Sequence, residues 1–371
     1  MKPRVNSLGF FVFNTILHSF YYCITKYAKL RFSEIEYQMR KEVFDFMATY
    51  NRIYSKEKWD NVNKFNKDLL SDYMLQIKAE GKSEGSQKQY HNDARIIMIY
   101  IMEELDNKPL YKLSRKSFRN MVLWMQENGL SSARINRMLS TTRNLLNFGL
   151  EDEDYEEEFE DCKANPNRIK GMQKEKVRDI VFLSDEEVHI IVDALIEEEQ
   201  YSQALLCALL YDSCSRKNEI FQIKRSDISL DANICKSQVT GKRGKKYRPL
   251  YNDLTKGVFK IYDEKVPKEI DVLWLTRSGT PASIETIYAW VISWREILRE
   301  KTGVYKEFNV HSFRHSCCDN LENGSHYICK KVGRKFELME IQKLMNHSDL
   351  STTQSYLADR SEEELLRAFG A

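Results

Sequence analysis

Residues 151–161 read EDEDYEEEFED, and nine of these eleven side chains are acidic. Carboxylates at this density repel one another and resist packing, so one continuous core cannot be expected to run through them. The run predicts a solvated linker over 151–175, punctuated by Asn165-Pro166. A chain of 371 residues also exceeds one ordinary core. The expectation is a chain folded in separate parts on either side of the acidic run.

On the N-terminal side, apolar residues recur every three or four positions. Val62, Phe65, Leu69, Leu70, Tyr73, Met74 and Ile77 mark one helix, and GKSEGS follows as a turn. Tyr90, Ala94, Ile97, Met98, Ile101 and Met102 mark a second. A third spans Ser114–Asn128, stopped by Asn128-Gly129, and Ser131-Ser132 starts a fourth that runs to about Phe148. Residues 56–150 are therefore expected to form a small all-helical domain.

Beyond the linker, a second domain is expected over 176–371. Ser184 and Glu187 have the spacing of a capping box. Helical patterns follow to about Glu199, over Ser202–Asp212 and over Arg216–Ile223. ICKSQVT, GKRGKK and YRPLY then read as strand, basic turn and strand. Val272–Thr276 is another candidate strand, and helices return over Ile284–Lys301 and from 311 onward. The fold class is mainly α, with one small antiparallel sheet in the second domain. Six prolines and fourteen glycines are too few for a β-sandwich rich in tight turns.

The net charge is only +2, so a case for nucleic acid must rest on local basic clusters. None of the eight cysteines forms a CxxC pair, which argues against a zinc site or a secreted disulfide framework and for reduced thiols. Residues 1–55 form an extension of uncertain role. Its apolar stretch LGFFVFNTILHSFYYCITKY is broken by Asn14, Thr15, His18 and Ser19, and no small-residue cleavage site is evident. No membrane role and a cytoplasmic location are expected.

Four sites in the second domain carry residues suited to a phosphodiester. In SCSRKNEI, Arg216 opens a helix and Glu219 lies one turn on, placed to hold the guanidinium. A fixed arginine donates two parallel hydrogen bonds to phosphate; the plain alternative is a surface ion pair. In VTGKRGKKYRPL, Lys242, Arg243, Lys245 and Lys246 crowd a hairpin tip. A lysine held against phosphate can protonate a departing oxygen; alone, a solvated turn is the simpler reading. In HSFRHS, His311 and Arg314 share a helix face, the alternative for the histidine being a helix cap. In LMNHSDLSTTQSYL, His347 precedes Tyr356 by nine residues, with Ser351 or a neighbouring threonine as a helix cap between them. A phenol of pKa about 10 is a poor nucleophile, but arginines and a lysine beside it favour the phenolate and stabilise a crowded transition state.

The order Arg216, Lys242, His311-x-x-Arg314, His347, Tyr356 resembles the tyrosine recombinases, the phage integrase and Xer class. HSFRHS and LMNHSDLSTTQSY are similar to that family's second and third motifs, SRKNEI to its first, and TGKRGKKYRPL to its β-hairpin. Residues 56–150, with NGLSSARINRMLSTTRNLLNF, resemble its helical core-binding domain, and the match covers about residues 60–371. The resemblance implies a site-specific DNA recombinase that cleaves and rejoins through a 3′-phosphotyrosyl link to Tyr356. Arg216 and Arg314 would then grip the scissile phosphate. Lys242 would be the general acid, His311 a proton-transfer group and His347 a phosphate ligand. No cofactor or metal is implied. The implied partners are a double-stranded recombination site, three further copies forming a tetramer on DNA, and possible accessory DNA-bending or directionality proteins.

Arg134, Arg137 and Arg143 on the fourth helix, and Arg243, Lys245 and Lys246 at the hairpin, are candidate DNA contacts. Leu365, Leu366 and Phe369 share a helix face in the C-terminal tail, which in this family docks on a neighbouring subunit or on its own domain. Two features depart from the family. Ser213-Cys214 stands where the first motif has Thr-Gly, and extra residues around GSHYICKKVGRKFEL lengthen the gap from Arg314 to His347. The competing readings are a recombinase-fold repressor that does not cut DNA and a type IB topoisomerase-like enzyme. The core-binding-like first domain disfavours the latter. Lys242→Ala and Tyr356→Phe would silence an enzyme and spare a regulator.

Overall fold

The computed structural model describes residues 53–160, 162–173 and 179–360, apart from the side chains of Asn167 and Arg243. The N-terminal extension to residue 52 and the C-terminal Leu365, Leu366 and Phe369 lie outside the described residues. The chain divides into two compact units, Met1–Val177 and Arg178–Ala371.

The first unit contains α1 (Lys56–Asn61), α2 (Lys64–Ala79), α3 (Glu84–Glu104), α4 (Arg115–Glu127), α5 (Ser132–Glu151) and α6 (Glu156–Glu160). Its starts obey capping chemistry: Ser83, Ser114 and Ser131 each accept a backbone N–H from the first turn of α3, α4 and α5. The four-helix expectation is met by α2 to α5, which bury Leu69, Ile97, Met121 and Leu139 in a shared core.

The acidic run is not a solvated linker. Tyr155 and Phe159, four residues apart, lie on one face of α6 and its entry, and are 7% and 1% exposed. Phe159 stacks on Phe65 at 6.3 Å, and the Tyr155 hydroxyl donates to Asp72 Oδ2 at 2.5 Å. A Cβ on Gly149 would sit 2.4 Å from the Phe159 ring, so the bare glycine is what lets α6 fold back onto α5. Two aromatics anchor the segment while its carboxylates face outward. Residues 169–172 also pack on α5: Asn136 Nδ2 donates to the Met172 carbonyl at 3.0 Å, and Arg143 Nη1 to that of Ile169 at 2.9 Å.

The second unit runs α7 (Asp185–Glu197), α8 (Tyr201–Ser213), α9 (Lys217–Ile220), β1 (Val239–Thr240), β2 (Lys246–Tyr247), α10 (Asp253–Lys265), α11 (Ile284–Thr302), α12 (Val310–Asn323), α13 (Tyr327–Val332), α14 (Leu338–Leu344) and α15 (Leu350–Gln354). Ser184 and Glu187 form the expected capping box of α7. Helix α8 is buried at every position from Ala204 to Ser213 and is the central post of the core. Strands β1 and β2 pair antiparallel, Val239 opposite Tyr247, and an isolated bridge joins Ile234 to Leu250. Residues 272–276 supply only isolated bridges, from Val272 to Lys224 and from Leu275 to Pro281. The sheet is small and antiparallel, as expected, and residues 272–276 do not extend it as a named strand.

The extra residues between Arg314 and His347 form α13, packed against the core. His326 stacks on Tyr211 with centroids 4.3 Å apart, and the Tyr327 hydroxyl donates to Asp212 at 2.6 Å. No described helix is long and apolar enough to cross a membrane.

Candidate active site

The site is assembled where α8 ends, α12 begins and the α14–α15 turn closes over them. Arg216 is the N-cap residue of α9. Glu219, only 1% exposed, accepts from the Arg216 backbone N–H at 2.6 Å and from Arg216 Nη1 at 3.1 Å. Its carboxylate also accepts from the Tyr247 hydroxyl at 2.8 Å, and that hydroxyl lies 3.1 Å from Ser215 Oγ. This is a buried, multiply bonded carboxylate rather than a surface ion pair. Burial, then Glu219, pushes the Tyr247 phenol up, so it stays a donor. Gly241 completes the arrangement, because a Cβ there would sit 2.7 Å from Glu219 Oε1. The hairpin can thus lie directly on the carboxylate that holds Arg216.

Helix α12 starts at the N-cap Asn309, whose side chain accepts the His311 backbone N–H. His311 is therefore not the cap. His311, Arg314 and His315 then fall on one face at i, i+3 and i+4. Arg314 is 1% exposed, an extreme burial for a guanidinium. Its Nη1 donates to the Cys214 carbonyl, and its Nη2 to the Met345 carbonyl at 2.8 Å and to His347 Nε2 at 2.7 Å. Its Nε is buried without a partner among the described residues. Burial, then the nearby Arg216 charge, lowers its pKa.

His347 is delivered by the end of α14. Asn346 adopts a left-handed φ of 54°, its N–H reaches the Lys343 carbonyl, and the His347 N–H reaches that of Gln342. This is a Schellman closure with asparagine at the left-handed position. Because Nε2 accepts from Arg314, the imidazole is neutral and donates from Nδ1 to Thr353 Oγ1 at 3.0 Å. Burial, then Arg314 and Arg216, holds its pKa at about 4. Both ring nitrogens of His347 therefore meet protein groups, Arg314 on one side and Thr353 on the other.

The cap of α15 is Asp349, not Ser351 or a threonine. Tyr356 follows that helix and is 9% exposed. Its hydroxyl lies 3.0 Å from His311 Nε2, and Arg314 Cζ sits 5.4 Å from its ring centroid. His315, absent from the expected set, stacks on the Tyr356 ring at 4.2 Å and 21°, while its Nδ1 lies 3.2 Å from the Tyr356 carbonyl. Burial first, then the charges of His315, Arg314 and Arg216, pulls the His311 pKa down to about 4. A neutral His311 can accept the phenolic proton.

The structure thus brings together Arg216, Glu219, His311, Arg314, His347 and Tyr356. Lys242 stands apart on the exposed 3-10 turn Lys242–Gly244, with no hydrogen bond or ion pair among the described residues. Lys245 Nζ donates to the Asn346 carbonyl at 3.3 Å, tying the hairpin tip to the His347 turn, and Lys246 is exposed. The Arg243 side chain lies outside the described residues. Sequence reasoning missed Tyr247, Gly241, Thr353 and His315. Only His315 carried a readable signal, four residues after His311 in HSFRHS.

The three arginines expected to meet DNA on α5 are engaged within the protein. Arg137 forms a two-pronged pair with Asp93, Nε–Oδ2 2.7 Å and Nη2–Oδ1 3.0 Å, and Arg134 Nη2 lies 3.8 Å from the same carboxylate. Asp93 is 1% exposed and needs that compensation. Arg143 holds Ile169, as described above. Elsewhere in the same unit, Arg115 and Arg119 of α4 and Arg168 and Lys170 line a groove of about 330 Å³ floored by Phe118, Val122 and Ile169. None of these four cations is ion-paired among the described residues.

Residues 181–363 match the Phage integrase family. A tyrosine recombinase of Thermosipho africanus (strain TCF52B) is 24% identical over 305 residues, spanning 80% of this chain and 96% of that protein. Two solved structures share the fold. The Tn1549 transposon integrase in complex with transposon right end DNA aligns with TM-score 0.59 at 16% identity, over 82% of this chain and 99% of that one. A lambda integrase tetramer bound to a Holliday junction aligns with TM-score 0.59 at 18% identity, over 79% and 77%. With a tyrosine, two arginines and two histidines converging within it, the domain over residues 181–363 belongs to the Phage integrase family.

Proposed function

We propose that the protein is a site-specific DNA recombinase that breaks and rejoins DNA through Tyr356. The observation that carries this is the Tyr356 hydroxyl at hydrogen-bond distance from a neutral His311, with the Arg314 guanidinium beside its ring. In the reaction, the Tyr356 oxygen attacks the scissile phosphorus and its proton passes to His311. The bond to the 5′ oxygen breaks, leaving a 3′-phosphotyrosine and a 5′-hydroxyl. Lys242 supplies the proton to the departing oxygen when DNA draws the exposed hairpin onto the phosphate. Arg216 and Arg314 stabilise the extra negative charge of the transition state. His347 keeps Arg314 in register, and Glu219 does the same for Arg216. Rejoining is the reverse, so the phosphoester energy is conserved in the covalent link.

The DNA partner follows from the chemistry. Assembly as a tetramer on paired duplexes is proposed by analogy with the lambda integrase complex. The role places the protein with DNA, in the cytoplasm. The groove of Arg115, Arg119, Arg168 and Lys170, with Lys245 and Lys246 at the hairpin, offers unpaired or exposed cations for the phosphate backbone.

The test is covalent trapping on nicked suicide duplexes built from the ends of the protein's own element. A denaturing gel should show a protein–DNA adduct that disappears in Tyr356→Phe while DNA binding persists. Salt-sensitive binding without any adduct would instead indicate a non-cutting repressor.

A further inference from the structure

Cys214 and Cys317 are joined by a disulfide across 103 residues of sequence, with Cα atoms 6.0 Å apart. This overturns the expectation that every cysteine is a reduced thiol, which rested on local spacing and could not see a pair brought together by the fold. Cys214 closes α8 two residues before Arg216, and its carbonyl accepts from Arg314 Nη1. Cys317 lies on α12, three residues after Arg314. The bridge therefore ties the segment carrying one arginine to the helix carrying the other. Cys214 also has a φ of +50°, one of few non-glycine residues among those described in the left-handed region. It is neither asparagine nor aspartate, whose side chains tolerate that region, and it caps a helix end where glycine is usual. A cysteine here pays for its side chain with backbone conformation, and the bond to Cys317 is what that side chain supplies.

We propose that Cys214–Cys317 is a redox-reversible brace that fixes Arg216 and Arg314 in working register. The inference rests on the recombinase reading for its effect on rate, but not for its effect on structure. Formation proceeds by thiol–disulfide exchange. One cysteine thiolate attacks a small-molecule disulfide and expels one thiolate. The second cysteine thiolate attacks the mixed disulfide and expels the other, so two electrons pass to the small disulfide as the protein bond forms. Both sulfur-bearing residues are fully buried, so exchange requires local opening of the 213–216 turn. Without the brace, Cys214 relaxes out of the left-handed region, a bias of about five- to thirtyfold in population. Its carbonyl then leaves Arg314, and the arginines lose their fixed spacing.

The experiment equilibrates full-length protein with oxidised glutathione or with dithiothreitol and follows three signals. Peptide mapping should find a Cys214–Cys317 cross-link only in the oxidised sample. Hydrogen exchange over 209–217 should be slower in that sample. Adduct formation on suicide duplexes should be about five- to thirtyfold faster there. Cys214→Gly, which accepts the positive φ, and Cys317→Ser, which keeps the unbraced cysteine, should both lose the redox response, with Cys317→Ser held at the slow rate. Three results would each overturn the proposal: no such cross-link under any condition, equal exchange in the two states, or a redox response retained by Cys317→Ser. An adduct absent in both states, alongside redox-dependent exchange, would sink the recombinase reading and leave the brace standing.

Discussion

At the scale of single residues, Tyr356, the proposed nucleophile, is held from two sides. His311 meets the Tyr356 hydroxyl, and His315 supports its ring and carbonyl. These are separable: His315→Phe keeps the stacking face and loses the polar contact, whereas His315→Ala loses both. Adduct formation should fall about tenfold or more in His315→Ala and less in His315→Phe, at unchanged DNA affinity, since a misplaced near-attack geometry costs rate rather than binding. Equal losses in the two variants would show that stacking contributes nothing. The pH profile follows from His311. The proton must be absent from its Nε2 to receive the phenol's, so the rate is lost as pH falls through its pKa, which stands at about 4 rather than near 6.5. Under sub-saturating DNA the rate reports the free protein. It should therefore lack an acid limb centred near 6.5, and an inflection there would refute the assignment.

At the scale of elements, two glycines decide where segments lie. The hairpin rests on Glu219 because Gly241 has no side chain. Gly241→Ala should displace the hairpin and slow adduct formation by at least about tenfold, whereas Tyr247→Phe should weaken the same support with no added bulk. In the first unit, Gly149 admits the Phe159 ring. If the acidic segment were a solvated linker, Phe159→Ala would change stability very little. As a buried anchor, its loss should cost about 3–5 kcal/mol in urea denaturation. Here the sequence held a legible signal: Tyr155 and Phe159 stand four residues apart, one helical turn. Counting carboxylates obscured it, because charge density describes the solvent face and says nothing about the other face.

At the scale of the whole molecule, charge and pH act through features that no local motif reveals. A net charge of +2 leaves DNA affinity to local clusters. Replacing Arg115 and Arg119 together by alanine should weaken binding to all sequences alike and lower the salt slope by about 2, one for each lost phosphate contact. The Arg134–Arg137–Asp93 cluster should instead affect stability. His326 supplies an acid limit to folding. It is fully buried against Tyr211, and burial holds its pKa at about 4. The unfolded chain binds that proton near 6.5, so stability is greatest above 6.5 and is lost as pH falls toward 4, approaching about 3 kcal/mol. Urea titrations at pH 7 and pH 5 should differ accordingly, and His326→Phe should shrink the difference without abolishing it, because His311 and His347 also stand at about 4.

The helices, their caps and the order of the reactive side chains were legible in the sequence, because 3.6-residue periodicity and capping are local and leave local marks. Arg216, Glu219, His311, Arg314, His347 and Tyr356 could be named as a set for the same reason: each sits in a short motif. What only the tertiary structure decided depends on separations of tens to hundreds of residues. It set His347 between Arg314 and Thr353, paired Arg134 and Arg137 with Asp93 and Arg143 with the Ile169 carbonyl, folded the acidic run onto α5 and joined Cys214 to Cys317. In each case burial settled the matter, since a buried charge or sulfur takes whichever partner the packing places beside it, and the packing is not written in any one stretch of chain.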